Sequence, residues 1–172
     1  MPLLFPTASV HRVTDITLNI LRKMHVKALL VDIDNTLALP ESQTPLPGTL
    51  EWSRRLRTAS LRIILMSNNS EERVQPFAEQ YGLPFSPASL KPLPGAFLHA
   101  AQRLGAGRGE TAVVGDQIYT DILGANLAGM KSILTDPIFQ ESSLSFQIRR
   151  KLEKPVRGRI RKQQTCRFTE RM

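Results

Sequence analysis

Short apolar runs alternate along the chain with longer stretches in which apolar positions recur every three or four residues. The runs at 28–33, 61–66, 111–114 and 131–134 are rich in Val, Ile and Leu and predict strands, with a weaker one at 83–85 ahead of Pro87. Helical spacing predicts helices over 48–58, 70–81, 95–104 and 120–128. Upstream, Ile16, Ile20 and Met24, flanked by Leu18 and Leu21, predict a helix that starts near Thr14 or Asp15 and ends about Lys23. Pro76 falls inside the 70–81 pattern, where a kink or a late start is expected because proline removes a backbone donor. Strands that alternate with helices imply an α/β fold: a mostly parallel, Rossmann-like sheet of five strands with helices on both faces.

The first of these strands is interrupted in a revealing way. "ALLVDIDNTLAL" reads as a buried run, yet it carries Asp32 and Asp34. An ionised carboxylate without a partner is costly to bury, so a cation, a proton or a reaction must offset the pair. In parallel sheets ligands bind beyond the carboxyl ends of the strands. The first strand ends in Asp32-Ile33-Asp34-Asn35-Thr36, the second in Ser67-Asn68-Asn69, and the fourth in Gly115-Asp116 with Asp121 close behind. Lys91, in "SLKPLPGA", follows the weak third strand. Four short polar sites thus converge on one rim. Taken singly, each has a plainer reading as a turn, a helix cap or a surface lysine.

In this order, "DIDNT", "SNN", "KP" and "GDQIYTD" resemble the four motifs of the haloacid dehalogenase superfamily. More narrowly, "VDIDNTL", "SNN", "KP" and "GDQIYTDILGAN" resemble its capless subfamily IIIA phosphatases of the YqeG type, a group that includes phosphatidylglycerophosphate phosphatases. The likeness covers about residues 13–137. It assigns Asp32 as the nucleophile toward phosphorus, which would split ester hydrolysis into two easier steps. Asp34 takes the role of acid and then base, with Thr36 orienting it by a hydrogen bond. Three acidic groups brought toward a phosphate dianion require a hard cation, and Mg2+ suits oxygen ligands. The expected ligands are Asp32, the main-chain carbonyl of Asp34 and Asp116, with Asp121 acting through a water or by holding Lys91. Ser67 and Lys91 are expected to hold the phosphoryl oxygens, and Asn68 to add a backbone donor.

Other apparent signals carry less. "DIDNTLALPESQ" imitates a calcium loop, but Leu37 and Gln43 stand where such a loop needs Gly and Glu. "GAGRG" follows a helix rather than a strand, which argues against a dinucleotide site. His11, His25 and His99 show no metal-ligand spacing.

Composition changes the picture mainly through charge. Of the net +8, residues 148–172 carry all of it, with ten Lys or Arg against two Glu, while residues 1–147 hold thirteen of each sign. The chain therefore divides into a catalytic domain over 1–139 and a basic tail over 140–172. In that tail, Leu144, Ile148 and Leu152 lie beside Arg149, Arg150 and Lys151, predicting a short basic amphipathic helix that ends before Pro155. It could meet an anionic membrane, lie solvated, or touch RNA through "RGRIRKQQ", although no aromatic beyond Phe168 is there to stack bases. No apolar run approaches the roughly 18 residues needed to span a bilayer, and the N-terminus does not resemble a secretory signal. The single cysteine, Cys166, leaves no intrachain disulfide. The expected location is cytoplasmic, with peripheral contact at the inner face of the membrane.

The span between Asp34 and Ser67 is mostly filled by one helix, leaving no room for a folded cap. An open rim favours a phosphate presented on something large. The reading is a Mg2+-dependent phosphatase that works through an aspartyl phosphate, with phosphatidylglycerophosphate as leading substrate and an anionic phospholipid as partner. The alternatives are a phosphatase for a soluble sugar phosphate or nucleotide, and an RNA-binding protein with a degenerate site.

Overall fold

The computed structural model describes residues 3–139 and 144–169. Six strands form one sheet in the order β1-β6-β5-β2-β3-β4, and every neighbouring pair is parallel. They are β1 (Ala8–Ser9), β2 (Ala28–Asp32), β3 (Arg62–Met66), β4 (Phe85–Ser86), β5 (Thr111–Gly115) and β6 (Lys131–Leu134). The helices are α1 (Leu18–Lys23), α2 (Thr49–Thr58), α3 (Glu71–Tyr81), α4 (Pro94–Arg103), α5 (Leu123–Leu127) and α6 (Leu144–Thr169). The α/β reading therefore holds, with one strand more than the five expected. The addition is β1, a two-residue edge strand too short to show a period of its own, which pairs Ala8 with Ile133 and Ser9 with Leu134.

Successive side chains on a strand point to opposite faces, and β2 illustrates the result. Leu29 and Val31 join a core with Trp52, Leu56, Val74, Phe77 and Tyr81 from α2 and α3. Leu30 joins the opposite core with Ile64, Met66 and Val113 under Phe97, Ala100 and Ala125 from α4 and α5. A strand covered on both faces needs no polar alternation, which is why the run at 28–31 is apolar throughout.

Several element boundaries differ from expectation for local reasons. The first helix starts at Leu18, because the Thr17 hydroxyl accepts from the Ile20 amide and caps it; Val13–Asp15 is a separate 3-10 turn. Helix α3 starts at Glu71 with Pro76 inside it, so no late start occurs. The stretch expected to be helical from residue 120 opens instead with a π-helical turn, Ile118–Ile122, before α5. Likewise α6 runs on through Pro155 rather than ending before it.

Chain order places β2 between β3 and β5, so the sheet changes winding direction at the carboxyl end of β2. That end is the crevice in which such sheets hold ligands. Residues 33–48, which follow β2, form a loop closed by isolated bridges from Ala38 to Asp34 and Pro45, without a folded insertion. No described helix is long and apolar enough to cross a membrane.

Candidate active site

Strand β2 delivers Asp32 as its last residue, paired with Met66 of β3. Asp116 follows β5 directly, and Asp121 lies in the π-helical turn after it. One carboxylate oxygen from each of Asp32, Asp116 and Asp121 lies within 4.8 Å of the others, and all three residues are buried. Lys91 enters the same place, its Nζ 2.5 Å from Asp32 Oδ1 and 2.8 Å from Asp121 Oδ1.

The loop that carries Lys91 is held firmly. Ala88 and Leu90 both sit at positive φ, 42° and 51°, a conformation unfavourable for residues with a Cβ. The Asn68 side chain clamps the Lys91 main chain at both ends, accepting from its amide at 2.8 Å and donating to its carbonyl at 3.2 Å. The expected role of Asn68 concerned its backbone; its side chain, for which no role was expected, fixes Lys91. Ser67 is buried, and its Oγ accepts from the Asn69 amide at 3.1 Å.

Asp121 uses both carboxylate oxygens, one toward Lys91 and the other accepting from the Gln117 amide at 3.2 Å. Its closeness to the backbone explains the glycine of "GD". A Cβ at Gly115 would lie 2.3 Å from Asp121 Cγ and Oδ2. Of the two expected roles for Asp121, through a water or by holding Lys91, the ion pair concerns the second.

Asp34 stands apart from this cluster and is oriented by a different set of groups than expected. Its Oδ2 accepts from Asn69 Nδ2 at 2.8 Å, and its Oδ1 from Arg73 Nη2 and the Glu41 amide, each at 3.1 Å. Thr36, expected to orient it, is buried and its hydroxyl has no hydrogen-bond partner among the described residues. Asn69 belonged to a motif already visible in the sequence but had no role there. Arg73, four residues further on, carried no local signal, because a basic residue on a helix is ordinarily solvated.

The electrostatics are those of three buried carboxylates facing one ammonium. Burial works against the Lys91 charge, but Asp121 and Asp32 outweigh it and hold the ammonium above the usual lysine range. Burial also pushes Asp32 well above the usual carboxylate range; Lys91 opposes this, while Asp121 and Asp116 add to it. One lysine therefore does not balance the cluster, which has room in its charge for a further cation. An all-oxygen acidic donor set is what a hard divalent ion such as Mg2+ takes.

Helix α6 also reaches the site. Glu153 Oε1 accepts from the Ile118 amide at 2.7 Å, and Arg157 Nη2 donates to the Asp116 carbonyl. Ile160 is buried with Ile118, Ile122 and Leu134. By contrast Ile148 and Leu152 are exposed, so the predicted apolar stripe does not face the core. The side chains of Leu144, Arg149, Arg150 and Cys166 lie outside the described residues.

Comparison with known proteins bears on the family and the fold. The chain is 29% identical over 157 residues, 91% of each sequence, to the Bacillus subtilis (strain 168) protein named "Probable phosphatase YqeG". Among solved structures, NagD from E. coli K-12 superposes with a TM-score of 0.55 at 15% identity, over 63% of this chain and 87% of its own. The cobalt-bound deoxy-D-mannose-octulosonate 8-phosphate phosphatase YrbI from Haemophilus influenzae gives 0.54 at 15% identity, over 65% and 69%. Both likenesses concern the fold. A family model for haloacid dehalogenase-like hydrolases matches residues 20–129, the segment that carries Asp32, Ser67, Lys91, Asp116 and Asp121, and the chain belongs to that family.

Proposed function

We propose that this protein is a Mg2+-dependent phosphomonoester hydrolase that works through a phosphorylated Asp32, with phosphatidylglycerophosphate as its leading substrate. The observation that carries the reaction class is the gathering of Asp32, Asp116 and Asp121 around Lys91 at the sheet's switch point. Asp32, Asp116 and the main-chain carbonyl of Asp34 would hold the ion, with Asp121 fixed on Lys91. When bound, it supplies positive charge against the phosphate and lowers the repulsion that the carboxylates present to it.

The protein's own groups account for the rest. An Asp32 oxygen attacks phosphorus while the bond from phosphorus to the ester oxygen breaks, and Asp34 gives its proton to the departing alkoxide. Asp34, then a carboxylate, takes a proton from water as that water attacks phosphorus, and the bond between Asp32 and phosphorus breaks to release phosphate. Asn69 and Arg73 keep Asp34 aimed through both steps. Lys91 is a fixed positive charge for the phosphoryl oxygens, and Ser67 an added hydrogen-bond donor to them.

The lipid assignment is supported by the surroundings of the rim. The loops around the site expose large apolar side chains: Leu39 after β2, Leu90 and Leu93 beside Lys91, and Ile138 and Phe139 after β6. The Phe139 amide donates to Asn35 Oδ1 at 2.9 Å, which ties that loop to the one carrying Asp34. An apolar border on a polar, uncapped site suits a phosphate presented from a lipid surface better than a small polar metabolite.

The test is phosphate release from phosphatidylglycerophosphate in mixed micelles and from an aryl phosphate, with Mg2+ or EDTA, for the full chain and Asp32→Asn. Release from the lipid that requires Mg2+ and vanishes in Asp32→Asn is expected. Cleavage of the aryl phosphate alone would overturn the lipid assignment and leave the chemistry standing. No Mg2+-dependent release from either substrate would overturn both.

A further inference from the structure

Helix α6 contributes an acid and a base, Glu153 and Arg157, that face inward from an otherwise basic segment. Glu153 is buried, and its two oxygens are divided: one accepts from the Ile118 amide at 2.7 Å, the other lies 3.2 Å from Arg157 Nε. Arg157 spreads its remaining donors over the main chain that leaves the sheet, to the Asp116 carbonyl and to the Thr135 carbonyl at 3.5 Å, with Asp136 Oδ1 at 3.6 Å. The pair thus holds the two ends of the loop that carries Asp116 into the π-helical turn of Asp121.

This placement has a physical consequence. Asp116 is the first residue after β5, so its main chain has left the strand ladder, and Ile118 begins a turn whose first amides have no partner within the turn. Without outside partners, a buried carbonyl and a buried amide at this loop would each be unsatisfied. Buried Ile160, two turns beyond Glu153, anchors the helix on Ile118 and Ile122 of the same turn. We propose that Glu153 and Arg157 are positioning residues for the cation site, so that the C-terminal helix is part of the catalytic scaffold and not an appendage to it. The inference rests on the phosphatase reading for its chemical meaning, though the binding of a metal ion can be measured without any turnover.

The experiment measures Mn2+ binding to the full-length protein by electron paramagnetic resonance of the free ion, in parallel with the thermal midpoint. The variants are Glu153→Ala, Arg157→Met and the conservative Glu153→Gln, with Asp116→Asn as the reference for a lost ligand. Groups that orient metal ligands from behind affect metal affinity by about 10–100-fold. Glu153→Ala and Arg157→Met are expected to weaken Mn2+ binding about tenfold, and Glu153→Gln, which keeps an acceptor for the Ile118 amide, to recover most of it. Mn2+ affinities within twofold of wild type in the folded variants, whatever their midpoints, would overturn the proposal. Should the first two variants not fold, the milder Arg157→Lys decides, because it keeps the charge but loses the forked donors to the Asp116 and Thr135 carbonyls. A loss of Mn2+ affinity beyond twofold in that folded protein would support the proposal, and affinity within twofold of wild type would overturn it. If Asp116→Asn binds Mn2+ as well as wild type does, the metal-site reading itself has failed, which is a separate result.

Discussion

At the scale of single residues, the site is made by backbone proximity as much as by charge. Gly115 is the clearest instance, since a Cβ there would lie 2.3 Å from the Asp121 carboxylate, which Lys91 and the Gln117 amide already hold in place. Gly115→Ala is expected to displace that carboxylate and lower kcat/KM on an aryl phosphate at least tenfold, with a folded protein by circular dichroism; wild-type turnover would show that the contact is dispensable. Arg73 and Asn69 lead to a second expectation. A hydrogen bond to a charged group is worth about 1.5–3 kcal/mol, so Arg73→Met should slow turnover roughly tenfold or more by leaving Asp34 less well aimed. Tyr81 provides a control away from the site. Burial, partly offset by its 2.7 Å contact with Thr49 Oγ1, pushes its hydroxyl up to about 12. A group raised on folding contributes stability that is intact below its unfolded value near 10 and is lost as pH rises toward 12. Absorbance titration of the two tyrosines should therefore show one ionising late, and Tyr81→Phe should remove that phase along with part of the alkaline loss of stability.

At the scale of elements, the sequence made the central strands and most helices legible because each obeys one period over a full length. Strands β2, β3, β5 and β6 fall where the apolar runs are, and Asp32, Asp116, Asp121 and Lys91 lie together beyond the carboxyl end of β2, with Asn68 bonded to Lys91. What could not be read has identifiable causes. The edge strand β1 has two residues, too few for any period. The π-helical turn begins before the helical pattern does, and its partners lie in α6, more than thirty residues away. Thr36 was a reasonable choice to orient Asp34 by nearness in sequence, but Asn69 and Arg73 are brought there by the fold. Glu153 did leave a trace: it is the lone acid among nine basic residues in 148–169, four positions before Arg157. Packing between α4 and α5 yields a further expectation. A Cβ at Gly124 would lie 2.3 Å from the Phe97 ring and 3.1 Å from the Pro92 carbonyl, next to Lys91. Overpacking of this kind costs about 1–3 kcal/mol, so Gly124→Ala should lower the urea midpoint by a corresponding amount, and an unchanged midpoint would mean that the two helices slide apart freely.

At the scale of the whole molecule, segments that border the site carry exposed bases and exposed apolar side chains. Arg157 is turned inward, but Lys151, Lys154, Arg159, Arg161 and Lys162 remain exposed on a helix that is anchored beside the Asp116 loop. Ile148 and Leu152 are exposed on that same helix, at 57% and 56%, and Leu90 beside Lys91 is more exposed still, at 68%. Because α6 is fixed to the loop of Asp116, deleting it would remove the proposed membrane contact and the proposed support of the metal site together, and loss of activity on deletion would not separate them. Substitutions on the outer surface do separate them. Burying one leucine is worth about 1.5–3 kcal/mol and each base near an anionic surface about 1 kcal/mol. Leu93→Ser combined with Lys154→Glu is therefore expected to lower the ratio of lipid to aryl phosphate turnover at least tenfold. It should also weaken sedimentation with anionic vesicles, an effect that added salt reproduces in the wild type by screening. A ratio that stays constant while vesicle binding falls would mean that the substrate reaches Asp32 from solution, and that the apolar rim serves another partner.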